Sequence, residues 1–220
     1  SGLAGVSAIA AGASHSLALR ANGSVATWGS NSNGQSTPPA GLIGLNAIAA
    51  GDVHSLARRA DGGVIAWGSN TSGQSAVPAN LSGVLAITAG RAHSLAIRAD
   101  QTVAAWGRND FGQCTVPAGL SGVVQIAAGR NHSVALRSNG NVVAWGNNSS
   151  RQCDAPQQAG AVARIGAGAS FTVALRDGCP TDPTKINPGV CGCGVADASY
   201  YIDADVDGFG AGTSSIVCSP

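Results

Sequence analysis

Three aspartates at alternate positions, Asp203, Asp205 and Asp207, run into Gly208 near the end of this 220-residue chain. Alternate carboxylates on a turning backbone converge on one point, and the glycine permits the sharp bend. Several oxygen ligands gathered this way suit a hard cation, with the main-chain carbonyl of Phe209 as a further ligand. Calcium is the expected ion. The twelfth position of the loop, where a bidentate carboxylate would close the shell, is Ser214, so Asp197 or solvent must complete it. The affinity this implies is weak, on the order of 10⁻⁴ to 10⁻³ M. The simpler reading is a solvated acidic turn in which each aspartate caps its own backbone.

Six cysteines, Cys114, Cys153, Cys179, Cys191, Cys193 and Cys218, could form disulfides. Cys114 and Cys153 stand 39 residues apart, where Ser36 and Ser75 stand earlier in the chain. A bridge between them needs Cα atoms within about 7 Å. Cys179 with Cys191 or Cys193 is a second candidate, leaving Cys218 to pair elsewhere, and the connectivity is open. Zinc is disfavoured, because no C-x₂-C pair has a matching His-rich or Cys-rich partner. Disulfides would place the chain in an oxidising compartment, outside the cell or on its surface.

His15, His54, His93 and His132 each precede a serine, and Phe171 takes the fifth such place. No carboxylate recurs beside these pairs, so a Ser-His-Asp arrangement is not expected. One imidazole per repeat spaces the histidines around an axis, and the reading preferred is a buried ring bonded to the neighbouring repeat's backbone. Trp28, Trp67, Trp106 and Trp145 read in the same way as core indoles whose N–H finds a partner. No phosphate-binding glycine loop is present. An enzyme is not expected.

These residues recur because the chain repeats every 39 residues without insertion. Gly12, Gly51, Gly90, Gly129 and Gly168 mark the register, as do Gln35, Gln74, Gln113 and Gln152, and Pro39, Pro78, Pro117 and Pro156. A fixed period of this length means stacked units that each bury a face against the next. Each unit reads as three short strands, of the types AIAAG, HSLALR and VxxWG. Asn22-Gly23, Asp61-Gly62 and Asn139-Gly140 mark a hairpin between the second and third. The remaining Asn-, Ser-, Gly- and Pro-rich stretch is loop, with room for a short edge strand. Three or four antiparallel strands per unit make an all-β, β-propeller blade. A β-solenoid is the competitor, but its coils are shorter and lack hairpins.

Composition agrees with crowded strands and divides the chain. There are 32 glycines, no Met, no Glu and a single Lys. Residues 1–176 carry a balance of +6 and residues 177–220 a balance of −5, which marks a propeller region 1–176 and a Cys/Asp-rich tail 177–220. Arg20, Arg59, Arg98, Arg137 and Arg176 share one repeat position and read as a structural stripe. Basic clusters interleaved with exposed aromatics are missing, so nucleic acid is not an expected partner. No apolar run reaches the roughly 18 residues of a membrane span. Ser1 is not a translational start, so the chain is expected to be processed or part of a longer polypeptide.

The pattern Ala-Gly-x-x-His-Ser-Leu-Ala-Leu-Arg, then Asn-Gly-x-Val-x-x-Trp-Gly-x-Asn-x-x-Gly-Gln, resembles the regulator of chromosome condensation repeat. In spacing and Val-Pro-Ala loops it looks most like the propeller-type β-lactamase inhibitor proteins of that superfamily. The resemblance implies a ring of seven blades, which needs roughly 270 residues. Four complete repeats and a partial fifth therefore predict an incomplete arc with blades missing upstream of Ser1; closure of four blades is the alternative. The tail resembles the aspartate-rich, cysteine-punctuated calcium repeats at the ends of bacterial secreted proteins. Together these features predict a non-enzymatic secreted or cell-surface scaffold that binds an unidentified protein through its loops, the tail joining it to further modules. Arg108, Phe111, Asn147 and Arg151 are the candidate contacts, because arginine and aromatic residues dominate binding hot spots. Enzyme inhibition of the β-lactamase-inhibitor type and guanine-nucleotide exchange are the alternatives; no inserted wedge interrupts the period to favour the second.

Overall fold

A computed structural model of the chain describes residues 3–155, 162–176 and 200–201. Each repeat folds into one three-stranded antiparallel sheet, in the order first, second, third strand. The first blade is β1 (Val6–Ala11), β2 (His15–Arg20) and β3 (Val25–Gly29). The second is β4 (Leu45–Ala50), β5 (His54–Arg59) and β6 (Val64–Gly68), and the third β7 (Val84–Ala89), β8 (His93–Arg98) and β9 (Val103–Gly107). The fourth is β10 (Val123–Ala128), β11 (His132–Arg137) and β12 (Val142–Gly146). The fifth has β13 (Val162–Ala167) and β14 (Thr172–Arg176), and its third strand is β15 (Tyr200–Tyr201). β15 pairs antiparallel with β14 through Val173 and Ala174, so two residues of the 177–220 region belong to the fifth sheet. No fourth strand appears in any described sheet.

The hairpins follow from local chemistry. In the first blade the Arg20 carbonyl accepts from Gly23 N at 2.9 Å, and Asn22 Oδ1 accepts from Ser24 N at 3.0 Å. Gly23 takes φ +75°, as the Asn-Gly signal requires. The third blade holds Gln101 at that place, with φ 62°. Each first pair of strands also carries a register shift near its start, between Val6 and Ala8 in the first blade; such bulges raise the local twist.

Among the described residues the core is divided between the blades. Leu17, Leu19, Leu45, Ala57 and Trp67 fill the space between the first two blades, and three similar clusters fill the later gaps. Each sheet packs on the next in chain order. The five blades form an arc, and the first blade's outer residues stay open: Ile9 is 78% exposed where Ile126 is 8%. A ring of four blades is excluded, since a fifth sheet packs on the fourth. Among the described residues, no helix is long and apolar enough to cross a membrane.

Candidate functional site

Between consecutive blades the repeated polar residues form one hydrogen-bonded clamp. The Gln35 main-chain carbonyl accepts two donors from the next blade, Ser55 Oγ at 3.0 Å and Trp67 Nε1 at 2.9 Å. His15 Nε2 lies 2.9 Å from Ser55 Oγ. The serine has one proton and gives it to the carbonyl, so the histidine must be the donor, in its Nε2–H form. The same set recurs as His54, Ser94, Gln74 and Trp106, and as His93, Ser133, Gln113 and Trp145. At the fourth junction Thr172 replaces serine, taking His132 at 3.1 Å and giving to the Gln152 carbonyl at 2.7 Å.

This settles the His-Ser pairs. The serine proton points at a carbonyl and the imidazole acts as donor, the reverse of what an activated nucleophile needs. The imidazoles do bond the neighbouring blade, but to its side-chain hydroxyl and not to its backbone. The sequence held the signal: Thr172 keeps the hydroxyl in the repeat where Phe171 has lost the imidazole. Among the described residues the four Nδ1 atoms are buried without a hydrogen-bond partner. Burial, then the neighbouring imidazoles, hold the His54 and His93 pKa values down at about 4. His15 and His132 are lowered by burial as well.

The rim loops that follow the third strands are braced internally. Asn31, Asn70, Asn109 and Asn148 each accept, through Oδ1, from the backbone N–H five residues on. The buried glutamines accept from the loop N–H two residues before them, as Gln113 Oε1 does from Phe111 N at 2.9 Å. The four candidate contacts occupy two consecutive loops of this rim. Arg108 Nε bonds Asp110 Oδ2 at 2.6 Å, and Phe111 is 47% exposed where the other repeats hold Asn33, Ser72 and Ser150. In the next loop Asn147 Oδ1 accepts from Ser149 N, and Arg151 Nε bonds Asp154 Oδ2 at 3.0 Å. Arg151 sits at φ 62°, the place of Gly34, Gly73 and Gly112.

Cys114 and Cys153 are free thiols, so the expected bridge between them is not formed. Each sulfur lies 3.2 Å from a carbonyl of its own loop, Arg108 O or Asn147 O. Ser36 and Ser75 make the equivalent bonds to Ser30 O and Ser69 O. The cysteines thus stand in for serines as donors, and burial pushes both thiols up to about 11. Cys179, Cys191, Cys193 and Cys218, and the calcium candidates Asp203, Asp205, Asp207 and Phe209, lie outside the described residues.

Along the inner edge of the arc runs a groove of about 420 Å³, lined by the Ala-Gly-x corners of all five blades. Its charged lining is Asp52, Arg91 and Arg130, with Arg91 Nε 3.7 Å from Asp52 Oδ2. At the shared arginine position Arg98 Nη1 reaches Val103 O, across its hairpin, at 3.3 Å, and Arg137 Nε reaches Ser121 O, in the connection before β10, at 2.9 Å.

Comparison with solved structures finds the same fold. Prp20p from Saccharomyces cerevisiae, described for its binding to Gsp1p and histones, is 21% identical, with a TM-score of 0.68 over 77% of this chain and 55% of that one. The ectodomain of the Physcomitrella patens receptor kinase CR4 is 26% identical, with a TM-score of 0.66 over 78% and 49%. Human WBSCR16 is 20% identical, with a TM-score of 0.64 over 78% and 58%. The chain thus spans about half the length of these relatives. No curated protein matches it. A family model described as the regulator of chromosome condensation (RCC1) repeat matches residues 6–35, 46–74, 84–113 and 123–152. Those four segments hold the clamp residues of the first four blades, and the chain belongs to the RCC1 repeat family.

Proposed function

We propose that the chain is a non-enzymatic scaffold that binds a protein partner through the rim loops of its third and fourth blades. The observation that carries this is Phe111. An aromatic side chain stands half exposed at a position that is Asn or Ser in the other loops, on a loop braced by the Gln113 Oε1 and Asn109 Oδ1 acceptors. A rigid loop with an exposed aromatic and a neighbouring Arg is what a binding hot spot requires. The clamp histidines and serines are spent on holding blades together, which supports a non-catalytic reading.

The test compares the full chain with an Arg108→Ala/Phe111→Ala variant as bait in extracts and secreted fractions of its source. Proteins kept by the first and lost by the second support the proposal. Identical sets from both would overturn it.

The same reading places the protein outside the cell, its tail acting as a calcium-stabilised link to a further module. Four cysteines in the tail and the likeness to a receptor-kinase ectodomain support it. A nucleotide-exchange or β-lactamase-inhibitor role would use the same scaffold, but no loop residue specifically favours either.

A further inference from the structure

The five inner corners are alike in backbone and unlike in charge. Their third residues are Ala13, Asp52, Arg91, Arg130 and Ala169, and all five line the groove on the inner edge of the arc. Main-chain bonds join them like rungs. Ala13 N donates to the Asp52 carbonyl at 3.3 Å, Asp52 N to the Arg91 carbonyl at 3.2 Å, and Arg130 N to the Ala169 carbonyl at 3.3 Å. One rung is missing. Among the described residues the Arg91 N–H has no acceptor, and the gap falls at the junction between the two arginines. The side chains there are uncommitted as well. Arg91 Nε stands 3.7 Å from Asp52 Oδ2, beyond hydrogen-bond reach and with both groups partly exposed, a pairing worth little. Arg130 is exposed, and among the described residues its guanidinium has no ion-pair partner.

These groups say what fits. Two guanidiniums and a main-chain N–H are all donors, so an occupant must accept hydrogen bonds and carry negative charge. A metal cation is unsuited, since the single carboxylate faces two arginines. With Asp52 counted, the charged lining sums to +1, which one carboxylate neutralises and a phosphate dianion overshoots. The groove holds about 420 Å³, a size usual for ligand sites. It passes all five corners, and away from the charged residues its lining is alanine and glycine, which leaves room for a backbone on either side of the carboxylate. We infer that this groove binds an acidic peptide, whose Asp or Glu carboxylate takes the Arg91 N–H and the guanidiniums of Arg91 and Arg130. Both arginine corners have a described blade on either side, so the site draws nothing from the ends of the arc. It shares no residue with the Arg108 and Phe111 contact and does not rest on it.

The test titrates the full chain with acetyl-Ala-Glu-Ala-amide and follows the Arg91 amide and the arginine Nε–H signals by NMR. Saturable movement of the Arg91 amide and the Arg130 Nε–H is expected, and none with the Gln version of the peptide. Arg130→Gln should weaken binding about tenfold, the loss of one charge-assisted hydrogen bond. Asp52→Asn should strengthen it, because the competing carboxylate is gone. Both side chains are at least partly exposed, and unchanged indole signals check that the blades stay packed. A still Arg91 amide, equal binding of the Gln peptide, or unchanged affinity in Arg130→Gln would overturn the proposal. Weaker binding in Asp52→Asn would contradict the charge count. Acetate bound as tightly as the peptide would overturn the peptide assignment and leave a small carboxylic acid as the occupant. Inorganic phosphate bound more tightly would overturn the carboxylate. The Arg108→Ala/Phe111→Ala variant should bind the peptide unchanged, and a loss there would contradict a separate site.

Discussion

At the residue scale the clamp is set by how close two blades come. The His93 ring lies against Gly90, and a methyl group there would collide with that ring and with the Gly129 carbonyl of the next blade. Neither neighbour is the free end of a flexible side chain, so a collision cannot be relieved cheaply. Gly90→Ala should cost about 3 kcal/mol, the top of the usual overpacking range, read as a lowered urea midpoint. The histidines add a pH dependence of definite sign. His54 and His93 titrate near 4 in the folded chain against 6.5 unfolded. Below pH 6.5 the unfolded chain therefore binds protons that the folded one refuses. Stability should be full above about pH 6.5 and fall progressively toward pH 4, by ~3 kcal/mol per site at about 1.4 kcal/mol per unit. Urea melts at pH 7.5 and 5.0 measure this, and His93→Phe should flatten part of the slope. The sequence showed that these imidazoles are structural. Of their partners it gave one indirect sign, the Thr172 hydroxyl kept beside Phe171, because the hydroxyl stands 40 residues away and the carbonyl that holds it has no side-chain signature.

At the element scale the fold was largely legible. The strand boundaries follow the period-two runs, and the hairpins follow Asn-Gly and Asp-Gly. The departures come where a repeat breaks its own rule. Gln101 holds a left-handed conformation that glycine holds in the first, second and fourth blades. A non-glycine residue there costs about 1 kcal/mol or more, partly offset by the entropy glycine adds to the unfolded chain. Gln101→Gly should therefore raise stability by roughly 0.5 kcal/mol, measured by equilibrium unfolding; a loss would show that Gln101 makes contacts worth more than the strain. The third strand of the fifth blade was not legible. Two tyrosines within a segment of no clear periodicity carry no strand signal, and only β14's free edge gives them a role.

At the scale of the whole molecule, stability is the sum of blades and junctions, because each core lies between two neighbours. The arc itself was expected from the count of repeats set against the seven blades that the family resemblance implies. The calcium loop belongs to this scale as well, as the proposed tie to a further module. Calorimetric titration should give binding near millimolar that Asp205→Ala abolishes; no binding to the unmodified chain would remove calcium from the account. The central claim is that the second, third and fourth blades are each locked to the one before through indole and hydroxyl, the fifth through the Thr172 hydroxyl alone, and that among the described residues Trp28 of the first blade has no such lock. Hydrogen exchange of the four indole N–H groups, followed by NMR, tests it most directly. The account predicts three slow indoles, Trp67, Trp106 and Trp145, and one that exchanges at once, Trp28. A protected Trp28, or fast exchange at any of the other three, would contradict it.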